Sequence, residues 1–465
     1  MNSFSLIAAI LGMIIALALG LFYFRRGETR GQKIFAILGS LLSIGYLYAL
    51  FLGNLSILQT RDLLSSGGML TIVISLYFFL RAETTRGHWF VAGVTLSTLG
   101  LLYGGSALAG VEVLSLFSYL VRTMFVLGGL YGLSLLALNL QWGYTGLFNI
   151  GIHGFVALGA YTSTLLVKPS DITLGAEHLA ETPIPAFGLP FMFGLIGAVL
   201  ICGLFALLTG ISTLKLREDY LAIATIGLAE IIRVAAQNLA ITGKTRGIAD
   251  IPSPLFDWLV KSSEQDTTGF VDPNYYIWFY AGMILVALLI VYLAFQRIAR
   301  SPWGRVLKAI REDEDAANAL GKNSFKFKLQ SLVLGAMVMG AVGSFWAHSA
   351  RSITPDAFDA VQWTFLPWVM LIIGGSGNHK GALVGAFLIW ALYSITNFQN
   401  DFLPQRIAIN IDWGFFKWQE SLDIAGRFFG PIRIIIIATV LQLILIYRPR
   451  GILGEEKQVS TLVKH

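Results

Sequence analysis

The chain has 465 residues, 55% of them hydrophobic and 13% charged, about half the charge of an ordinary soluble protein. That balance excludes a disordered chain, a collagen-like fibre and a water-soluble globule. A single cysteine, Cys202, excludes an intrachain disulfide framework and any cysteine-based zinc or iron–sulfur cluster. The formal net charge of +6 is scattered between apolar runs and forms no stripe, which reads as membrane topology and not as nucleic-acid binding.

A bilayer core about 30 Å thick requires roughly 20 apolar residues per helix, because every backbone polar group must be bonded internally. About thirteen segments meet or approach that need, predicting an all-α, polytopic membrane protein with some short and glycine-broken helices. In chain order they are 4–24, 34–54, 67–80, 89–110, 117–140, 145–167, 189–210, 220–238, 276–295, 329–346, 365–374, 382–397 and 431–447. No cation precedes the first segment and Arg25 and Arg26 follow it, so it reads as an uncleaved anchor with the N-terminus outside. Lys and Arg at 25–33, 81–86, 215–217, 297–328 and 448–450 then fall on the inner side, with the C-terminus, and the acidic loops 171–181 and 250–272 fall outside. Residues 1–115 form a predicted accessory module of helices, 116–455 a denser, glycine-rich core and 456–465 a cytoplasmic tail.

Within the core, glycine crowds the opening of the sixth segment at Gly143, Gly146, Gly151 and Gly154. Each costs a helix roughly 1 kcal/mol relative to alanine, which predicts a break. Backbone N–H groups freed near Asn149, Gly151, His153 and Gly154 can receive a carboxylate on a translocation path; close helix packing is the alternative use of such glycines. Glu230 and Arg233 follow at i, i+3 on one helix face and read as a structural ion pair. The segment 297–328 mixes cations with the acidic run Glu312, Asp313, Glu314 and Asp315. Val306, Leu307 and Ile310 recur there at helical spacing, small alanines follow, and Gly321 is a helix stop. It is a candidate docking segment for a cytoplasmic partner or, more plainly, a solvated loop helix. A second glycine cluster, Gly374, Gly375, Gly377 and Gly381, joins two short apolar segments, the pattern of a second interrupted helix on the path.

Covalent chemistry leaves no trace. No phosphate loop is present; the nearest approach, Thr242-Gly243-Lys244-Thr245, has Asn238 where the first glycine belongs. There is no H-E-x-x-H, no cysteine pair and no G-x-S-x-G elbow. These absences predict a chain that is not an enzyme and binds no metal or cofactor.

Four blocks in one order resemble the permease subunits of branched-chain and neutral amino-acid ABC importers, the LivM type, with close urea and amide relatives. They are Leu138-Asn139-Leu140 with Gly143-Tyr144-Thr145-Gly146 and Gly159-Ala160-Tyr161; Leu216-Arg217-Glu218-Asp219-Tyr220 with Glu230-Ile231-Ile232-Arg233; 301–321; and Gly374-Gly375-Ser376-Gly377 with Arg448-Pro449-Arg450-Gly451. The likeness covers 117–454. His153 stands one residue later than the histidine of the family pattern, and the proline-containing end of the broader importer motif is missing after Gly321. The resemblance implies that Gly304, Arg305, Arg311, Glu312, Glu314, Asp315, Ala316, Ala317 and Gly321 couple to an ATPase. It further implies a bacterial inner-membrane complex with a second permease, two cytoplasmic ATPases that use ATP, and an extracytoplasmic binding protein delivering an amino acid. An ion-coupled secondary transporter is the rival; it needs intramembrane carboxylates, and Glu230 is nearly the only candidate.

Overall fold

The computed structural model describes residues 121–169, 186–255, 273–397 and 451–455, the helix Trp89–Leu99, the backbone of two strands, and scattered positions within 15–75 and 435–447. The expected segments 4–24, 34–54, 67–80 and 431–447, the acidic loop 171–181 and the tail 456–465 lie wholly or largely outside them.

The chain divides into two compact units, Met1–Met124 with Phe387–Leu443, and Phe125–Ala386 with Ile444–His465. In the first, the helix Trp89–Leu99 buries Val91 and Val94 against Tyr23 and Phe90. Two strands, Arg406–Asp412 (β1) and Lys417–Asp423 (β2), pair antiparallel from Arg406 opposite Asp423 to Asp412 opposite Lys417. This ribbon departs from the expectation of helices throughout.

The second unit is helical. Its order is α1 (Arg122–Tyr144), α2 (Ile152–Val167), α3 (Phe191–Thr213), α4 (Glu218–Asn238), α5 (Pro273–Arg300), the short α6 (Pro302–Glu312) and α7 (Glu314–Ala319), α8 (Ser324–Ala350), α9 (Leu366–Gly374) and α10 (His379–Asn397), which runs on into the first unit. Among the described residues, five stretches are long and apolar enough to cross a membrane: α1, α3, α5, α8 and Pro355–Gly374, which ends in α9. The molecule is a polytopic membrane protein.

Burial orders these helices. The apolar window of α1 is 89% buried, that of α5 only 22%, so α1 sits inside and α5 turns a leucine- and valine-rich face outward. The tightest crossings bring α8 against α2 and α3. A side chain at Gly343 would strike the Val156 carbonyl, and one at Gly159 would strike the backbone of Gly340. Without a hydrophobic drive between helices in lipid, backbones brought this close by small residues supply the packing.

Several helices run a few residues past the expected bounds, as in Pro273–Arg300 for 276–295 and Ser324–Ala350 for 329–346, and two differences bear on the site. The segment expected over 145–167 is helical only from Ile152, with 145–151 extended or turning, as the glycine density predicts. The segment expected over 117–140 continues to Tyr144 by widening into a π-turn at Asn139–Tyr144.

Candidate functional site

The sequence of 301–323 writes its own helix ends. Ser301 caps α6, its hydroxyl accepting from the Gly304 N–H at 3.4 Å, with Pro302 in the first turn. Asp313 turns extended, ends α6, and caps α7 by accepting from the Ala316 N–H at 2.9 Å. Gly321, at φ +79°, supplies the left-handed turn after α7, and Asn323 caps α8. The segment is therefore two short helices joined at Asp313.

Its inner face is apolar and then ionic. Gly304, Leu307, Ile310 and Ala317 are buried. Arg311 donates to the carbonyl of Gly143, at the break after α1, and pairs with Glu455 at 2.7 Å; Lys308 pairs with the other oxygen of Glu455 at 2.6 Å. Burial works against the charge on Glu455, but hydrogen bonds from Lys308 and Arg311 outweigh it and hold the carboxyl below the usual carboxylate range. Glu314 is likewise opposed by burial and held low by Lys328 and Ser324.

The second glycine cluster meets the first at this place. The Gly377 N–H donates to Asn139 Oδ1 at 2.8 Å, and Asn139 Nδ2 donates to His379 Nδ1 at 3.1 Å. The segment 451–455 then lies along the α9–α10 turn. Ile452 N–H donates to Ile373 at 2.9 Å, Leu453 N–H to Gly374 at 3.0 Å, and Asn378 Nδ2 to the Leu453 carbonyl at 3.1 Å. Gly375, at φ +109°, leaves no room for a side chain beside Leu453. Gly374, Gly375, Gly377, Arg311 and Gly143 thus form one junction.

The remaining path candidates go elsewhere. Asn149, fully buried, donates to Gln141 Oε1 at 3.0 Å and accepts from the Gly151 N–H at 2.8 Å. Ile150 N–H donates to Thr225, and that of His153 to Thr364. Gly151 and Gly154 press on the backbone of α4 at Thr225 and Ala229. The N–H groups of Asn149, Ile150, Gly151 and His153 all have partners inside the chain, and Gly151 and Gly154 serve helix contact.

On the outer face of α6 and α7, Arg305, Glu312, Asp315 and Ala316 are exposed, together with Ala319 and Leu320, the latter 80% exposed. Ala317 points inward and is not part of that face. Glu230 and Arg233 pair at 2.5 Å as expected from their spacing, and Arg233 reaches a second carboxylate, Asp356, at 3.2 Å.

Sequence reasoning passed over Glu455, Lys308, His379 and Asp356. Only Asn139, a polar residue inside an apolar run, left a local signal. Glu455 pairs with residues more than 140 positions away, and nothing adjacent marks it.

The profile of the family described as branched-chain amino acid transport system / permease component matches residues 120–410, which hold α1 to α10. The chain belongs to this family. Its members are non-catalytic membrane subunits of ABC transporters. Among similar proteins, the probable branched-chain amino acid transport permease protein LivM of Methanocaldococcus jannaschii is 27% identical over 367 residues, 74% of this chain and 96% of that protein. The high-affinity LivM permease of Salmonella typhimurium is 32% identical over 268 residues, 55% of this chain and 58% of that protein. The LivH permease of Escherichia coli, strain K12, is 25% identical over 281 residues, 59% of this chain and 84% of that protein. No solved structure matches.

Proposed function

We propose that the chain is one of two permease subunits in an ATP-driven importer of branched-chain and neutral amino acids, fed by an extracytoplasmic binding protein and driven by two cytoplasmic ATPases. The observation that carries this reading is the two-sided build of α6 and α7. The inner side is fastened through Arg311 to Gly143 and through Glu455 to the α9–α10 turn. The outer side offers Glu312, Asp315, Ala316, Ala319 and Leu320 to a partner. Movement of an ATPase against that outer side is passed to both glycine turns by one guanidinium, which switches the path between outward-open and inward-open states.

Arg305, Glu312, Asp315 and Ala316 touch the ATPase in this account, whereas Gly304, Glu314, Ala317 and Gly321 shape the segment that does so. The path runs beside Gly374, Gly375 and Gly377 and along α4 near His153, with Asn149, Gly151 and Gly154 setting how closely α2 approaches α4. About thirteen spans place the N-terminus outside and the C-terminus in the cytoplasm, with 1–115 an accessory module around the core. This chain binds no cofactor, and ATP belongs to the partners.

Uptake of radiolabelled leucine into proteoliposomes holding the complete complex, competed with neutral amino acids, urea and short amides, tests the reading. Competition by neutral amino acids alone is the expected result. Competition by urea or amides in their place removes the amino-acid assignment.

A further inference from the structure

The coupling segment stands at one end of α8, and a second built surface stands at the other. α8 begins at Ser324, just after α7, and its 27 residues rise about 40 Å before it ends at Ala350. At that far end residues 239–255 lie against 351–355 and form a ledge that the coupling junction does not use. The ledge contains Thr242-Gly243-Lys244-Thr245, the stretch that falls short of a phosphate loop.

The ledge is held from several sides. Ile248 and Ile353 exchange two backbone hydrogen bonds at 2.8 Å, and the Ile251 N–H donates to the Arg351 carbonyl at 2.9 Å. Nδ1 of the buried His348 donates to the Pro252 carbonyl at 2.6 Å, and the Tyr276 hydroxyl donates to that of Pro254 at 2.7 Å. The fit is close, since a side chain at Gly247 would strike the Ile353 carbonyl. All four non-glycine residues at positive φ among the described residues lie here: Lys244 (+54°), Asp250 (+54°), Leu255 (+55°) and Arg351 (+58°). A side chain with a Cβ disfavours this conformation, which persists only where the surroundings over-determine it and gathers at sites with a task.

Glycine would suit φ +54° better than lysine, yet Lys244 stands there with its side chain in the open. Lys244, Thr245 and Arg246 are all exposed, and neither cation pairs with a carboxylate among the described residues. The exposed acids of the ledge are Asp250 and Asp356, and Asp356 is taken by Arg233 and Gln237. Two uncommitted cations on a preset backbone suit a folded acidic surface, whose carboxylates are also fixed; a mobile lipid headgroup is met as well by lysines on a loose loop. With α6 and α7 toward the ATPases, the far end of α8 faces the side from which solute arrives. We propose that Lys244 and Arg246 form a docking ledge for an acidic lobe of the solute-loaded binding protein, with Ile241, 44% exposed, adding apolar contact. The proposal rests on the importer reading and names the surface and the chemistry by which that partner is held.

The test is binding of leucine-loaded binding protein to the complete complex in nanodiscs of neutral lipid, read as Kd at rising salt. In the wild type, Kd should rise with ionic strength. Lys244→Glu with Arg246→Glu should raise Kd at least about tenfold, while complex assembly and basal ATP hydrolysis, which depend on the other end of α8, persist. Lys215→Glu with Arg217→Glu reverses two exposed cations beside the first turn of α4, at its opposite end, and should leave Kd unchanged. Lys244→Asn separates docking from folding, because asparagine tolerates positive φ: thermal stability should hold or rise while Kd increases several-fold. A salt-insensitive Kd, a wild-type Kd in the double reversal, an equal loss in the 215 and 217 control, or an unchanged Kd in Lys244→Asn overturns the proposal. So does a loss that appears only in nanodiscs containing phosphatidylglycerol, which assigns the cations to lipid. A wild-type complex that binds no such protein yet accumulates leucine from an ion gradient refutes the importer reading instead.

Discussion

Arg311 joins α6 to the Gly143 carbonyl and to Glu455. Arg311→Ala should uncouple uptake from ATP hydrolysis while the ATPases still co-purify with the permease. Loss of co-purification would move Arg311 to the docking face. Glu455→Gln removes two ion pairs that are about one-quarter to one-third exposed, so it should cost only about 1 kcal/mol and lower the transport-to-hydrolysis ratio before it affects folding. Two neighbouring alanines separate packing from docking. Ala317 is 3% exposed, so Ala317→Arg forces a cation into the interior and should reduce the amount of folded protein in the membrane. Ala316 is exposed, and Ala316→Arg should leave folding intact while abolishing ATPase co-purification. From sequence the two look alike; only which side of a six-residue helix packs on the chain distinguishes them.

The elements divide into those whose ends are written locally and those fixed by distant partners. Ser301, Asp313, Gly321 and Asn323 are caps and stops that act within a few residues, yet only the stop at Gly321 was read from the sequence; the division at Asp313 and the start of α8 at Ser324, expected at 329, came from the structure. The break at 145–151 was legible from glycine density. The π-turn at Asn139–Tyr144 was not, because its buried Asn139 and Gln141 gain their partners from Gly377, His379 and Leu332, far along the chain. The β1–β2 ribbon was missed although Ile407, Ile409 and Ile411 recur at every second position of β1, because β2 has no such alternation and no Asn-Gly or Asp-Gly turn joins the two. Substitution at two glycines tests the packing account of α2 on α4. At Gly151 a side chain collides with the Thr225 carbonyl, whereas at Gly227 it meets nothing within 4 Å. Gly151→Ala should therefore lower thermal stability and uptake, and Gly227→Ala should spare stability. The segment 451–455 carries a pH dependence of fixed sign. The folded-state carboxyl of Glu455 titrates below its unfolded value, so its contribution is complete above the ordinary carboxylate range and is lost as pH falls through the lowered folded value. Protection of Ile452 and Leu453 from hydrogen exchange, relative to the intrinsic rate at each pH, should fall on acidification in the wild type and be low at every pH in Glu455→Gln.

At the scale of the whole molecule, composition established a membrane protein, and motif order established its kin, because both are summed over hundreds of residues and tolerate local error. The candidate site was half legible: the glycines, Arg311 and the Glu230–Arg233 pair stood out in the sequence, while their meeting points required the fold. The central claim is that this apolar body does no chemistry and takes its energy from subunits gripped at α6 and α7. ATP-dependent leucine uptake into proteoliposomes, with and without the ATPase subunits, tests it most directly. The account predicts uptake only when the ATPases and ATP are present, and its loss in Ala316→Arg. Leucine accumulation by the permeases alone, driven by an ion gradient, would contradict it.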